Sequence, residues 1–378
     1  MKKILIVYIG GTICSFVKEN GRDIYIEMAK KNIMNNFEKS SSEFANYANE
    51  LFEEIKLDFC TLSENMTIGK LNIMLNEIKE NISSDFSGII ILHGTDTLAY
   101  TSSILSLSLQ HINIPMILVS ANKPVDEKDT NANINFRTAV ELIMRGIAPN
   151  VYALYRNSDK KMYLHLGSTL MQCNDFSEDF YNASKEKCFV IEKGCENCTE
   201  ILSKCWEYSA QRLAVKVDYE NSEEKELQDY NETLINRMKK IEDTVLCIKP
   251  YVGLDYKKID LKGVKAIVHR TYHSGTVCVE RNNENEKYSS NSILYLADKC
   301  QKKQIPIYIA HCILNDEQYC SAFDAVNNGK IIPLNMTFES AYAKVLVGVS
   351  CGYSKEELNK FVLTEINNEF VKQSKGNN

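Results

Sequence analysis

Apolar residues fall in short blocks along this chain, and most blocks have the length of a strand buried on both faces. The first block predicts a strand at 2–9, stopped by Gly10-Gly11. Similar blocks predict strands at 88–92, 114–120 and 151–155, with a short one at 55–60. Helical spacing predicts helices at 37–55, at 68–82 (Ile68, Leu71, Leu75, Ile78), at 98–109 and at 134–145. Residues 14–26 are polar with one glycine, Gly21, and predict a loop. Strands and helices alternating at this spacing make βαβ units, so the fold class is α/β with a parallel sheet. From 182 to about 243 the alternation weakens, and the charged run ENSEEKELQDYNE predicts a connection with one or two exposed helices. Strand blocks return at 245–248, 266–270, 307–310 and 331–334, and a long helix starts near Met336.

A length of 378 residues suits two domains, and 44% hydrophobic against 25% charged residues lets each build a core. The net charge of -6 argues against a nucleic-acid surface. The first apolar run is too short for a signal peptide, and no run of eighteen apolar residues occurs. The expectation is a soluble, cytoplasmic protein without membrane contact. Thirteen cysteines, an odd number without a secretion signal, point to reduced thiols. Cys247, Cys278 and Cys312 sit in apolar runs as small hydrophobes. Cys188, Cys195, Cys198 and Cys205 have six, two and six residues between them. Four thiolates can hold a structural zinc, but such sites show two close pairs and here there is one, so scattered thiols are favoured.

Two strand ends share one design. IVYIGGT closes with Thr12 and IILHGTDT closes with Thr95, Asp96 and Thr97, each after a glycine. Open α/β sheets place ligands beyond the carboxyl ends of their strands. Threonines there serve as helix caps, or as nucleophiles once a base takes the hydroxyl proton.

GGTI at 10–13 and ILHGTDTLAYT at 91–101 resemble the two signature stretches of the L-asparaginase family, bacterial amidohydrolases that convert asparagine to aspartate and ammonia. SENMT at 63–67, KPYVGLD at 249–255, LKGVKAIVHRTY at 261–272 and NMTFESAYAKVL at 335–346 extend the resemblance to most of the chain outside 182–243, closer to the cytoplasmic type. The resemblance implies a larger N-terminal, flavodoxin-like parallel-sheet domain at 1–185 carrying the site. A connecting segment at 186–243 and a smaller Rossmann-like α/β domain at 244–378 would follow. It implies Thr12 as the nucleophile, Tyr25 on a mobile lid helping to activate it, and Thr95 holding or activating the attacking group. Asp96 would bind the substrate α-amino group. Ser63 would bind the α-carboxylate, with Glu64 beside it, and backbone amides near Gly11 and Gly94 would add anion contacts. The implied substrate is a small amide such as L-asparagine, no cofactor or metal is needed, and the assembly is a homodimer or homotetramer.

Three stretches depart from the family pattern. The family keeps a lysine that pairs with the second threonine and aspartate; in GSTLMQCNDF at 167–176 its place falls on Leu170, which cannot transfer protons. SANKPVDEKDTNANINF at 120–136 lacks the usual Thr-Gly opening, and TYHSGT at 271–276 replaces a glycine-rich turn and brings in His273. Three readings follow: a divergent amidohydrolase, a catalytically impaired amino-acid-binding or regulatory protein, and a partner-dependent amidase like the family's relatives that amidate tRNA-bound glutamate. The third ranks last, because the chain shows no extra small barrel domain.

Overall fold

The computed structural model describes residues 2–19, 21–191, 198–214, 237–282, 288–312, 318–327 and 329–371. The chain forms two compact units, Met1–Asn231 and Glu232–Asn378.

The first unit contains β1 (Lys3–Tyr8), β2 (Ser15–Lys18), β3 (Gly21–Ile24), α1 (Ile26–Glu38), α2 (Ala48–Leu51), β4 (Phe52–Ile55) and α3 (Ile68–Asn81). After these come β5 (Phe86–Leu92), α4 (Leu98–Ser108), β6 (Met116–Val119), α5 (Ala132–Met144) and β7 (Val151–Arg156). The last are β8 (Met162–Leu166), β9 (Leu170–Met171), β10 (Tyr181–Asn182), β11 (Cys188–Ile191) and α6 (Thr199–Ala214). One sheet holds seven strands in the order β11-β8-β7-β6-β5-β1-β4. The five strands from β4 to β7 are parallel, which accounts for their uninterrupted apolar sequences. Their order is the flavodoxin-like one, and the winding reverses between β1 and β5. β8 and β11 complete the sheet as antiparallel strands.

Three local expectations change. The helix expected at 37–55 lies at Ile26–Glu38, where Ala29, Ile33 and Phe37 form its buried face. Three serines follow Lys39, and Ser40 Oγ donates to the Phe37 carbonyl at 2.6 Å, a local bond that competes with helix continuation. The strand expected at 55–60 is Phe52–Ile55, pairing with β1. Residues 14–26 are not an irregular loop, because β2 and β3 pair there as an antiparallel hairpin.

At the switch between β1 and β5 the two backbones meet. Gly11 has φ 71°, and a Cβ added there would lie 2.1 Å from Gly94 Cα. A Cβ on Gly94 would lie 2.5 Å from Ser63 Cβ. Only glycine permits either approach.

The second unit holds β12 (Val245–Ile248), β13 (Ala266–Arg270), α7 (Ile293–Gln301), β14 (Ile307–Ala310), α8 (Cys320–Val326), β15 (Ile331–Pro333), α9 (Phe338–Ser350) and α10 (Lys355–Val362). Its four strands are parallel and lie in chain order. Thr337 caps α9 by accepting from Ser340 N at 3.1 Å. Inside this helix Lys344 is fully buried and pairs with the fully buried Glu369. Glu369 also accepts from the backbone of Ile366 and Asn367, so the pair fastens the turn after α10 onto α9. Among the described residues no helix is long and apolar enough to cross a membrane.

Gly11→Ala should cost about 2–5 kcal/mol, combining the left-handed backbone with overpacking against Gly94. Gly146→Ala, with φ 80° and nothing within 4 Å of its Cβ, should cost only the backbone share of about 1–2 kcal/mol. Urea titration of both variants separates the two contributions. Lys344→Met should destabilise the chain by about 3–5 kcal/mol by leaving Glu369 unpaired in the interior. Adding Glu369→Gln should restore most of the loss, measured by the same titration.

Candidate active site

A cavity of about 330 Å³ is lined by Thr12, Thr95, Asp96, Ala121, Asn122, Tyr155 and the consecutive residues from Gln172 to Glu178. It thus contains residues that follow β1, β5 and β6, beside the switch point. Neither threonine is a helix cap. Gly11 precedes the short 3-10 turn Thr12–Cys14, and Thr97 rather than Thr95 precedes α4.

Ser63 is buried beside this cavity, with its hydroxyl committed to Asp96. Its Oγ donates to Asp96 Oδ2 at 2.9 Å and accepts from Asp96 N at 3.2 Å. Thr97 Oγ1 donates to the Ser63 carbonyl at 3.0 Å, so the 63–65 turn and the 95–97 turn are tied from both sides. The Gly11 amide donates to the Thr61 carbonyl at 3.0 Å. That bond ties the turn after β1 to Thr61.

Tyr25 and Glu64 stand apart from this constellation. Tyr25 is 55% exposed at the end of the hairpin, stacks edge-on against Phe16, and borders a second cavity with Asp23, Cys60, Thr61 and Asn65. Glu64 is exposed and lines neither cavity. His273 lies in the second unit, exposed, with its carbonyl accepting from His311 Nε2 at 3.4 Å.

Leu170 is fully buried in β9 and does not reach the cavity. Two residues on, where alternation along an extended chain returns to the same face, Gln172 does. Its Nε2 donates to the Asp96 backbone carbonyl. The sequence pattern missed Gln172, Asp175 and Glu178; the signal available was the mostly polar run from Gln172 to Glu178 that begins two residues after the aligned lysine position.

Protonation limits the chemistry. Burial, then Asp179 and Asp96, push the Cys173 thiol up to about 12, so it is no thiolate at neutral pH. Burial holds His93, at the end of β5, down at about 4. Its neutral ring donates from Nδ1 to the Gly94 carbonyl at 2.7 Å, which leaves Nε2 buried without a partner. Among the described residues no lysine, arginine or histidine lines the cavity.

Of the four cysteines weighed as a metal site, Cys195 lies outside the described residues. Cys198 and Cys205 pack into the core of the first unit, and burial raises the Cys188 and Cys205 thiols to about 12. Among the described residues no group of three or more His, Cys, Asp or Glu side chains is placed to hold a metal ion.

Residues 3–187 match the family model described as asparaginase, N-terminal. A glutamyl-tRNA(Gln) amidotransferase subunit of Pyrococcus abyssi is 22% identical over 98% of this chain and 77% of its own length. L-asparaginase of Thermococcus kodakarensis is 41% identical over 71 residues, 19% of this chain and 21% of that protein. The solved structure of L-asparaginase I from Vibrio cholerae superposes with a TM-score of 0.64 at 20% identity, covering 98% of this chain and 99% of the other. Residues 3–187 are thus an asparaginase N-terminal domain, and the chain as a whole shares the fold of solved L-asparaginases.

Proposed function

We propose that this protein is an amidohydrolase that cleaves a side-chain carboxamide, of the L-asparagine or L-glutamine type, at the β1/β5 switch. The observation that carries this is the presence of Thr12, Thr95 and Asp96 in one cavity. Thr12 Oγ attacks the amide carbon, its proton passes to the departing nitrogen, and the carbon–nitrogen bond breaks to release ammonia. Water then hydrolyses the threonine ester, releasing the acid and restoring the Thr12 hydroxyl. Thr95 holds the attacking group, and Asp96 pairs with a substrate ammonium. Ser63 orients Asp96 through the bond between them. Proton acceptors come from the cavity carboxylates Asp96, Asp175 and Glu178, since the lysine position is buried leucine. Tyr25, which follows the hairpin and borders the second cavity, is the lid residue of this reading and would have to move to reach Thr12, and the working assembly is a homodimer or homotetramer.

Two other readings each have an observation behind them. The lack, among the described residues, of a cationic side chain lining the cavity favours a binding protein with impaired catalysis. The match along nearly the whole chain to part of a tRNA amidotransferase favours an amidase that works with a partner.

Ammonia release from asparagine and glutamine by the full chain tests all three. Thr12→Ala and Thr95→Ala should each lower it by about 10²-fold or more. Release that is no higher in the unmodified protein than in either variant would leave the binding reading. Release that starts only with an added tRNA-amidating partner would support the amidotransferase reading.

A further inference from the structure

Three hydrogen-bond donors at this site are engaged inside the protein. The Ser63 hydroxyl donates to Asp96, the Asp96 amide to Ser63 Oγ, and the Gly11 amide to the Thr61 carbonyl. The same cavity gathers three carboxylates, Asp96, Asp175 and Glu178, and among the described residues no cationic side chain lines it. A free carboxylate entering it would meet like charge and no donor from this set.

One further group points to a cationic ligand that donates hydrogen bonds. Gln172 uses Nε2 on the Asp96 carbonyl, which leaves its buried Oε1 acceptor without a partner. Tyr155 is 1% exposed and lines the cavity, with its hydroxyl beside the Asn131 side chain. Unpaired buried polar atoms are costly, and an ammonium supplies donors to oxygens of this kind.

We propose, building on the amidohydrolase reading, that the substrate is a cationic carboxamide. Its amine is free and its carboxyl group is capped as an amide or peptide bond, as in an N-terminal asparagine residue, in place of a free amino acid. The ammonium sits among Asp96, Asp175, Glu178 and Gln172 Oε1, and the carboxamide faces Thr12.

Binding and turnover are measured separately on the full chain. Titration calorimetry on Thr12→Ala uses three probes: L-asparagine, L-asparagine α-N-methylamide, and the N-acetylated form of that methylamide. The methylamide should bind at least tenfold tighter than L-asparagine, and N-acetylation should weaken it at least tenfold. In Thr12→Ala carrying Asp175→Asn and Glu178→Gln, the preference should fall towards parity, with circular dichroism confirming an unchanged fold. Ammonia release by the unmodified protein should follow the same order. L-asparagine binding as tightly as the methylamide, or no binding of either, would overturn the proposal. A binding preference without any ammonia release would uphold the charge selectivity and reject the hydrolytic reading. Release favouring free L-asparagine would do the reverse.

Discussion

The approach of two backbones at Gly11 and Gly94 governs the site. Parallel strands keep their ends side by side, and here Gly11 and Gly94 lie in the turns just after β1 and β5. A methyl group on either residue would fall inside the neighbouring chain. With both absent, the turns carrying Thr12 and Thr95 are drawn to one cavity, and Ser63 fits against Gly94. The winding reversal at the same place keeps covering helices off this edge, which leaves a crevice where the two turns meet.

Once that contact exists, hydrogen bonds decide what the crevice can bind. Ser63 and Asp96 satisfy each other, and Thr97 closes the second link between their turns. Such reciprocal bonding holds Asp96 in place without help from a lysine. The segment from Gln172 to Glu178 then sets the character of the cavity, adding two carboxylates and one unpaired amide oxygen. The cavity so formed combines two threonine hydroxyls with three carboxylates.

The second unit is held by a different kind of constraint. Its helix α9 is buried along most of its length, and Lys344 within it is kept only because Glu369 lies opposite. Burial pulls the lysine towards its neutral form, and Glu369 opposes that pull. Paired charges in an interior contribute less to stability than to uniqueness of position, and here they tie the end of the chain to one helix.

Much of this was legible in the residues. Apolar blocks such as ILIVY and GIIIL can only be strands buried on both faces, so the α/β class and the parallel core follow from them directly. The pairing of glycine with threonine at two strand ends marked the site edge for the same reason. Other features needed the folded chain. Helix α1 and the β2–β3 hairpin were hidden because short polar segments gain their order from neighbours, not from periodicity. β8 and β11 are sheet strands only because β7 offers an edge. That Gln172 and not Leu170 reaches the cavity is decided by the folded chain, since Leu170 is buried in β9 and Gln172 lies just past its end. The sequence by itself determined the strands and the hydroxyls in the turns that follow them. Only the tertiary structure decided which donors remain free and which charges share the cavity, because both depend on contacts between residues far apart in the chain.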